Sequence, residues 1–219
     1  MEVVHFVMKK PLGKKSAVNK CLAIIPYGWG IFAAMKRIGN ILFYGALIFV
    51  FLYTPTRSWI LQQVLSTGLF NKKIDSKEAQ QQSAKPFSFK DLYGKDISSN
   101  DLKGKAVFIN FWATWCPPCR AEMPSLQKLY DELKNDPGIV FLFMNEDENR
   151  QKALDFLAEK KYSMPFYTAN GMIPEEIYSG TLPTTVVLDK EGKIVYQHEG
   201  IGNFNNDDFM KQLRKLAKK

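Results

Sequence analysis

Cys116 and Cys119 stand three residues apart in Trp115-Cys116-Pro117-Pro118-Cys119-Arg120. Two thiols at that spacing can close a small disulfide ring. The chemistry open to them is thiol–disulfide exchange, in which one thiolate attacks a substrate disulfide and the second cysteine resolves the mixed disulfide. The apolar run Val107-Phe108-Ile109-Asn110-Phe111-Trp112 precedes the pair, and a helical pattern follows it. That order puts Cys116 at a helix N-terminus, where unpaired N–H groups and the positive end of the dipole favour a thiolate.

Cys-x-x-Cys is also half of a zinc site. A closed site needs two more ligands, and beyond this pair the chain offers only Cys21, His5 and His198. None of these forms a second knuckle, so no metal is expected. A purely structural disulfide is disfavoured too, because so short a loop restrains an unfolded chain very little. No cofactor is implied.

The elements that must position the cysteines can be read in order. Residues 86–95 alternate and then turn, as a short hairpin does. The strand over 106–111 is almost continuously apolar, the pattern of a strand covered on both faces, with Asn110 as its one polar interior position. After Cys119 a helix carries Met123, Leu126, Tyr130 and Leu133 on one face, and Pro124 is expected to kink it. Ile139–Met144 is a second apolar strand. Glu146-Asp147-Glu148-Asn149 opens another helix, with Ala153, Phe156 and Leu157 as its apolar side. A short strand over 164–168, a helical turn over 175–178, a hairpin over 185–196 and a last helix from Asn205 or Asn206 complete the chain. Alternating strands and helices followed by a hairpin and helix make an α/β layered domain.

Charge separates the chain into parts. The formal net charge is +8. Residues 1–37 hold seven Lys or Arg and one Glu, a net +6, and the remainder is nearly neutral. The excess therefore belongs to a tail rather than to a basic face, and nucleic acid is excluded as a partner. Ile38–Thr56 is 19 residues long without a charge, about one bilayer span, with Lys36 and Arg37 before it and Arg57 after it. The positive-inside rule puts the tail 1–37 in the cytoplasm and the rest outside, behind an uncleaved anchor at 38–56. Residues 57–85 read as a juxtamembrane helix and a polar linker, and 86–219 as the soluble domain. Residues 1–34 read as a dispensable extension, and Cys21 within it is given no role.

The run FINFWATWCPPCRAEMPSL, with GTLPTTVVLDKEGKIV about 60 residues later, resembles the thioredoxin superfamily. More narrowly it is similar to the TlpA/ResA-like membrane-anchored thiol–disulfide oxidoreductases of bacteria. The likeness covers residues 86–217. It implies a thioredoxin fold, a central mixed sheet flanked by helices, with an N-terminal hairpin extension and one transmembrane helix in front. It implies Cys116 as nucleophile, Cys119 as resolving cysteine and Pro183 as a cis-proline facing the sulfurs. The Leu182 backbone would then lie beside Cys116 to hold an incoming peptide, with Trp115, Pro117 and Pro118 as further substrate contacts. Trp112, Trp115 and Phe111 are read as packing around the site, and Arg120 as a surface residue.

One departure matters. Thioredoxin has a buried Asp on the strand before the motif, where this chain has Asn110. Glu122, three residues after Cys119, matches the acidic residue that the TlpA/ResA-like proteins keep near the cysteines, so the proton-transfer role is expected there.

The expected function is that of an extracytoplasmic protein-disulfide oxidoreductase, a reductant as in cytochrome c maturation or thiol repair. It would hold the cytoplasmic (inner) membrane as a single-pass protein. Its partners would be a protein dithiol or disulfide substrate and a membrane electron donor that recycles the pair. Two alternatives depart from the motif. A peroxiredoxin uses Thr-x-x-Cys, and Thr114 is only two before Cys116. A Sco-like copper module uses Cys-x-x-x-Cys with a distal His, and the spacing here is one residue short.

Overall fold

The computed structural model describes residues 27–52, 60, 62–64, 68, 70–74 and 83–218. Among the described residues the most N-terminal element is helix α1, Tyr27–Leu52. Its residues 35–49 are exposed, Ile38, Ile41, Leu42, Phe43 and Ile48 among them. Among the described residues no helix is long and apolar enough to cross a membrane. The end of the expected span, 53–56, lies outside the described residues, as do most of the basic tail and much of 57–85.

The remaining elements form one mixed sheet with helices on it. They are β1 Ser88–Lys90, β2 Asp96–Ser98, a 3-10 turn Ser99–Leu102, β3 Ala106–Trp112, α2 Pro117–Leu133, β4 Ile139–Asn145, α3 Arg150–Glu159, β5 Phe166–Ala169, β6 Thr184–Leu188, β7 Ile194–Glu199 and α4 Asp207–Lys218. The strand order is β2-β1-β5-β4-β3-β6-β7. β3, β4 and β5 run parallel, and β1, β2, β6 and β7 join antiparallel at the two sides. This is the mixed sheet flanked by helices that the sequence led us to expect. The hairpin extension is present, but its second strand is 96–98, beyond the turn at Gly94.

β3 is buried at every position because both faces are covered. Phe108 and Trp112 face the layer made by Met123, Leu126 and Leu133 of α2 and Phe209 and Leu213 of α4. Val107, Ile109 and Phe111 face the other way, onto Phe87, Phe89 and Ile177. Phe108 sits among the rings of Phe141, Phe143, Phe204 and Phe209. Burial of each such side chain contributes about 1.5–3 kcal/mol. The period of two along β3 puts Asn110 on the α2 side as well, and this decides the chemistry below.

Three local expectations are corrected, at 146–148, at Arg120 and at 71–74 with 83–84. The acidic run at 146–148 does not open a helix; α3 starts at Arg150, capped by the Asn149 side chain, which accepts from Gln151 N at 3.0 Å. α2 continues through Pro124, and the Arg120 carbonyl, which Pro124 cannot serve, accepts from Gln62 Nε2 at 3.3 Å. Arg120 is half-buried with its guanidinium over the Phe156 ring, 5.7 Å from the centroid. Residues 71–74 and 83–84, read as linker, pair with the domain: Asn71 bridges Asn203 and Ser83 bridges Lys193.

Candidate functional site

Cys116 is the N-cap of α2, and Pro117 and Pro118 occupy its first two positions. Proline suits the start of a helix because its fixed φ is helical and its missing N–H would have had no partner there. The consequence for the sulfur is specific. Of the N–H groups at this helix start, the first two are absent, and among the described residues Cys116 Sγ accepts from Cys119 N alone, at 3.3 Å. Cys116 and Cys119 form a disulfide across Cα atoms 5.3 Å apart, and both are buried.

The sheet brings three segments to the same edge. Phe111 pairs with Thr184, and Trp112 pairs with Asn145. The end of β3 leading to Cys116, the start of β6 after Pro183 and the end of β4 before Asp147 therefore lie side by side. The Leu182–Pro183 bond is cis, and the Pro183 carbonyl accepts from Gly200 N at 2.8 Å. Leu182 packs against the cluster that contains both cysteines. Pro183 is buried, and Pro117, Pro118 and Leu182 are half-buried. Trp112 and Phe111 are core residues, as read from the sequence. Trp115 is not packing: it is 63% exposed beside Cys116, a large apolar ring free to meet another chain.

Glu122 is fully buried, one turn beyond Cys119 on the same side of α2. Its Oε1 accepts from Asn110 Nδ2 at 2.8 Å, and its Oε2 accepts from Gly202 N at 3.1 Å. Asn110 Nδ2 also donates to Thr185 Oγ1 at 3.0 Å. Burial pushes the Glu122 carboxyl up to about 8 from an ordinary 4.5, against the opposing pull of the Asn110 and Gly202 hydrogen bonds and the charge of Lys72. Desolvation is the largest of these effects, so Glu122 holds a proton at neutral pH and can release it a little above. A carboxyl poised in that range one helical turn from a buried redox cysteine is fit for general acid–base work.

Several residues of the site escaped the sequence reading. Asp147 accepts from Thr114 N at 2.9 Å, from Thr114 Oγ1 at 2.6 Å and from Asn145 Nδ2 at 2.7 Å. It thereby ties the turn before Cys116 to the end of β4. The one-to-one register of two adjacent parallel strands, each followed by a polar residue, was the signal that could have found it. Gly202 and Lys72 come from segments far apart in sequence, and no local pattern marks them.

A model of the Redoxin family matches residues 79–213. The thiol–disulfide oxidoreductase ResA of Bacillus thuringiensis (strain Al Hakam) is 34% identical over 161 residues, covering 72% of this chain and 91% of that protein. The thioredoxin-like protein YneN of Bacillus subtilis (strain 168) is 36% identical over 143 residues, covering 65% of this chain and 81% of that protein. Among solved structures, the thioredoxin domain of a thiol–disulfide oxidoreductase from Bacteroides vulgatus superposes with a TM-score of 0.53 at 27% identity, covering 64% of this chain and 98% of that one.

Proposed function

Because the chain belongs to the Redoxin family, as a ResA-like thiol–disulfide oxidoreductase, we propose that it works outside the cytoplasm as a reductant of protein disulfides. The observation that carries the reading is the Cys116–Cys119 pair at the start of α2 with the buried Glu122 carboxyl, raised to about 8, one turn behind it. The Cys116 thiolate attacks one sulfur of a substrate disulfide. That S–S bond breaks, a Cys116–substrate disulfide forms, and the other substrate sulfur leaves as a thiolate. Cys119 then gives its proton to Glu122 in its carboxylate form, whose share grows as pH rises toward about 8, and attacks Cys116 Sγ. The mixed disulfide breaks, the second substrate thiolate departs, and the protein holds the Cys116–Cys119 disulfide. Two electrons have passed to the substrate. Trp115, Pro117, Pro118, Leu182 and Pro183 form the contact surface for the incoming peptide. A membrane dithiol donor restores the reduced pair, and the substrates are those of cytochrome c maturation or thiol repair.

The direction of flow follows from the helix start. A strongly stabilised thiolate favours the dithiol form and makes an oxidant. Here two of the N–H donors that would stabilise it are prolines, and Arg120 is engaged over Phe156 rather than at the sulfur. The dithiol is then the electron donor. Equilibration of the full chain in a dithiothreitol or glutathione buffer is expected to give a potential nearer about −270 mV than about −120 mV. A value above roughly −180 mV would overturn the reductant assignment.

The same proposal places 38–56 in the inner (cytoplasmic) membrane, with tail 1–37 inside and the catalytic domain on the extracytoplasmic side. Supporting it are the +6 tail and the exposed apolar side chains on α1, a helix surface that calls for an apolar solvent. An impermeant thiol reagent added to intact cells is expected to label Cys116 after reduction. Labelling only after the cells are opened would refute the orientation.

A further inference from the structure

Residues 70–74 do not merely precede the domain; they are fastened onto it beside the Glu122 carboxyl. Lys72 N donates to Asn203 O at 3.0 Å, and Asn203 N donates to Phe70 O at 2.8 Å. Asn206 Nδ2 donates to Lys72 O at 3.0 Å, and Ile74 N donates to Gln212 Oε1 at 2.6 Å. Asn203 Nδ2 reaches Asn71 Oδ1 at 2.8 Å. Hydrogen bonds on both sides of Lys72 thus hold its backbone along the loop 200–206. The loop residue it faces is Gly202, whose N–H serves Glu122. A Cβ built on Gly202 would stand 3.2 Å from Lys72 Cγ and 2.6 Å from Phe204 Cζ. Glycine there lets the loop backbone lie between the Lys72 stem and the Phe204 ring while its N–H stays on the carboxylate.

We propose that Lys72 is a positioning residue for the exchange reaction: the segment Phe70–Ile74 carries its ammonium to the Glu122 site, where it is the counter-charge of the Glu122 carboxylate that takes the Cys119 proton. This rests on the reading of Glu122 as the proton acceptor. A buried carboxylate without a counter-charge carries a large desolvation penalty, and one nearby cation lowers it. The groups that act on Glu122 are Asn110 from β3, the Gly202 N–H from the 200–206 loop and Lys72 from the upstream segment, and Cys119 lies one turn back on α2. Lys72 also acts on His198 of β7, which burial, foremost, and the Lys72 charge hold below its ordinary 6.5. The two titrations therefore occupy separate pH ranges.

The test uses the full chain in detergent with Cys21→Ser and an aromatic disulfide that releases a coloured thiolate at each step. The first release reports Cys116, and the second reports the attack of Cys119. Lys72→Met is expected to move the midpoint of the second phase up by about half a pH unit, roughly threefold slower at pH 7, with the first phase unchanged. Lys72→Arg is expected to restore the midpoint, and Lys72→Met added to Glu122→Gln is expected to change nothing further. An unmoved midpoint in Lys72→Met, a shift in Lys72→Arg equal to that in Lys72→Met, or equal slowing in the Glu122→Gln background would each overturn the proposal. If Glu122→Gln alone keeps the wild-type pH dependence, the reading of Glu122 itself has failed.

Discussion

Replacing Cys119 with Ala is expected to leave a protein that attacks disulfides once and then stops. With the aromatic disulfide the variant releases one coloured thiolate on attack by Cys116 and no second one, and with protein substrates it accumulates mixed disulfides on Cys116. The reason is spatial. Cys116 is 4% exposed and caps the helix, whereas Cys119 is fully buried one turn in. A substrate sulfur reaches the first and not the second, so the order of attack is fixed. Without the resolving thiol, the mixed disulfide waits for an outside thiol and turnover falls to background. Cys116→Ala gives a different signature, no release at all. A normal second release from Cys119→Ala would refute the assigned roles, and release from Cys116→Ala would show that Cys119 is reached directly.

Much of this arrangement was legible in the sequence because it depends on short-range patterns. The apolar run of β3, the Cys-x-x-Cys and the helical spacing after it fix the order strand, N-cap, helix, and the structure has that order at the expected residues. Asn110 and Glu122 were separately conspicuous, one as the lone polar residue of a buried strand and one as the acid at the expected offset. That they touch follows from two periods: alternation aims Asn110 at α2, and Glu122 lies one turn past Cys119. What the sequence hid is contact between distant segments. Residues 71–85 are polar and low in bulky groups, so composition read them as linker. The pairing of 70–74 with 203–212 runs largely through backbone and amide groups, and Ile74, which packs against the core, is a single bulky apolar residue in a polar stretch. Asp147 was misread for a related reason: an acidic run ahead of a helix looks like its first turn. The helix waits for Asn149, and Asp147 is held back by Thr114. Trp115 was misplaced because an aromatic residue beside a buried strand is ordinarily core, and here the turn at 114–115 carries it outward.

Glu122→Gln is expected to slow the release that follows Cys119 attack by about 10²-fold, the low end for a general acid–base group, while the first release from Cys116 keeps its rate. The same substitution has a second effect, on stability, whose sign can be worked out. The carboxyl titrates near 4.5 when unfolded and at about 8 in the native protein. Between those values the native state holds a proton that the unfolded state has lost. Stability is therefore full below about 4.5, falls by about 1.4 kcal/mol per pH unit as pH rises, and levels off above about 8. Gln does not titrate, so in the disulfide form, where Cys116 and Cys119 do not titrate either, the contribution of this site to the slope disappears. The absolute stability of the variant does not simply rise. Glu122 accepts from two N–H groups, one at each oxygen, and the Gln amide nitrogen cannot accept, so either Asn110 or Gly202 loses its acceptor, at a cost of about 1–3 kcal/mol. Denaturant unfolding of both proteins between pH 5 and 9, beside the two-phase release assay, reads both effects. A wild-type protein whose stability is flat across this range would show that Glu122 is ionised throughout. An unchanged second phase in Glu122→Gln would return Glu122 to a purely structural place in the core.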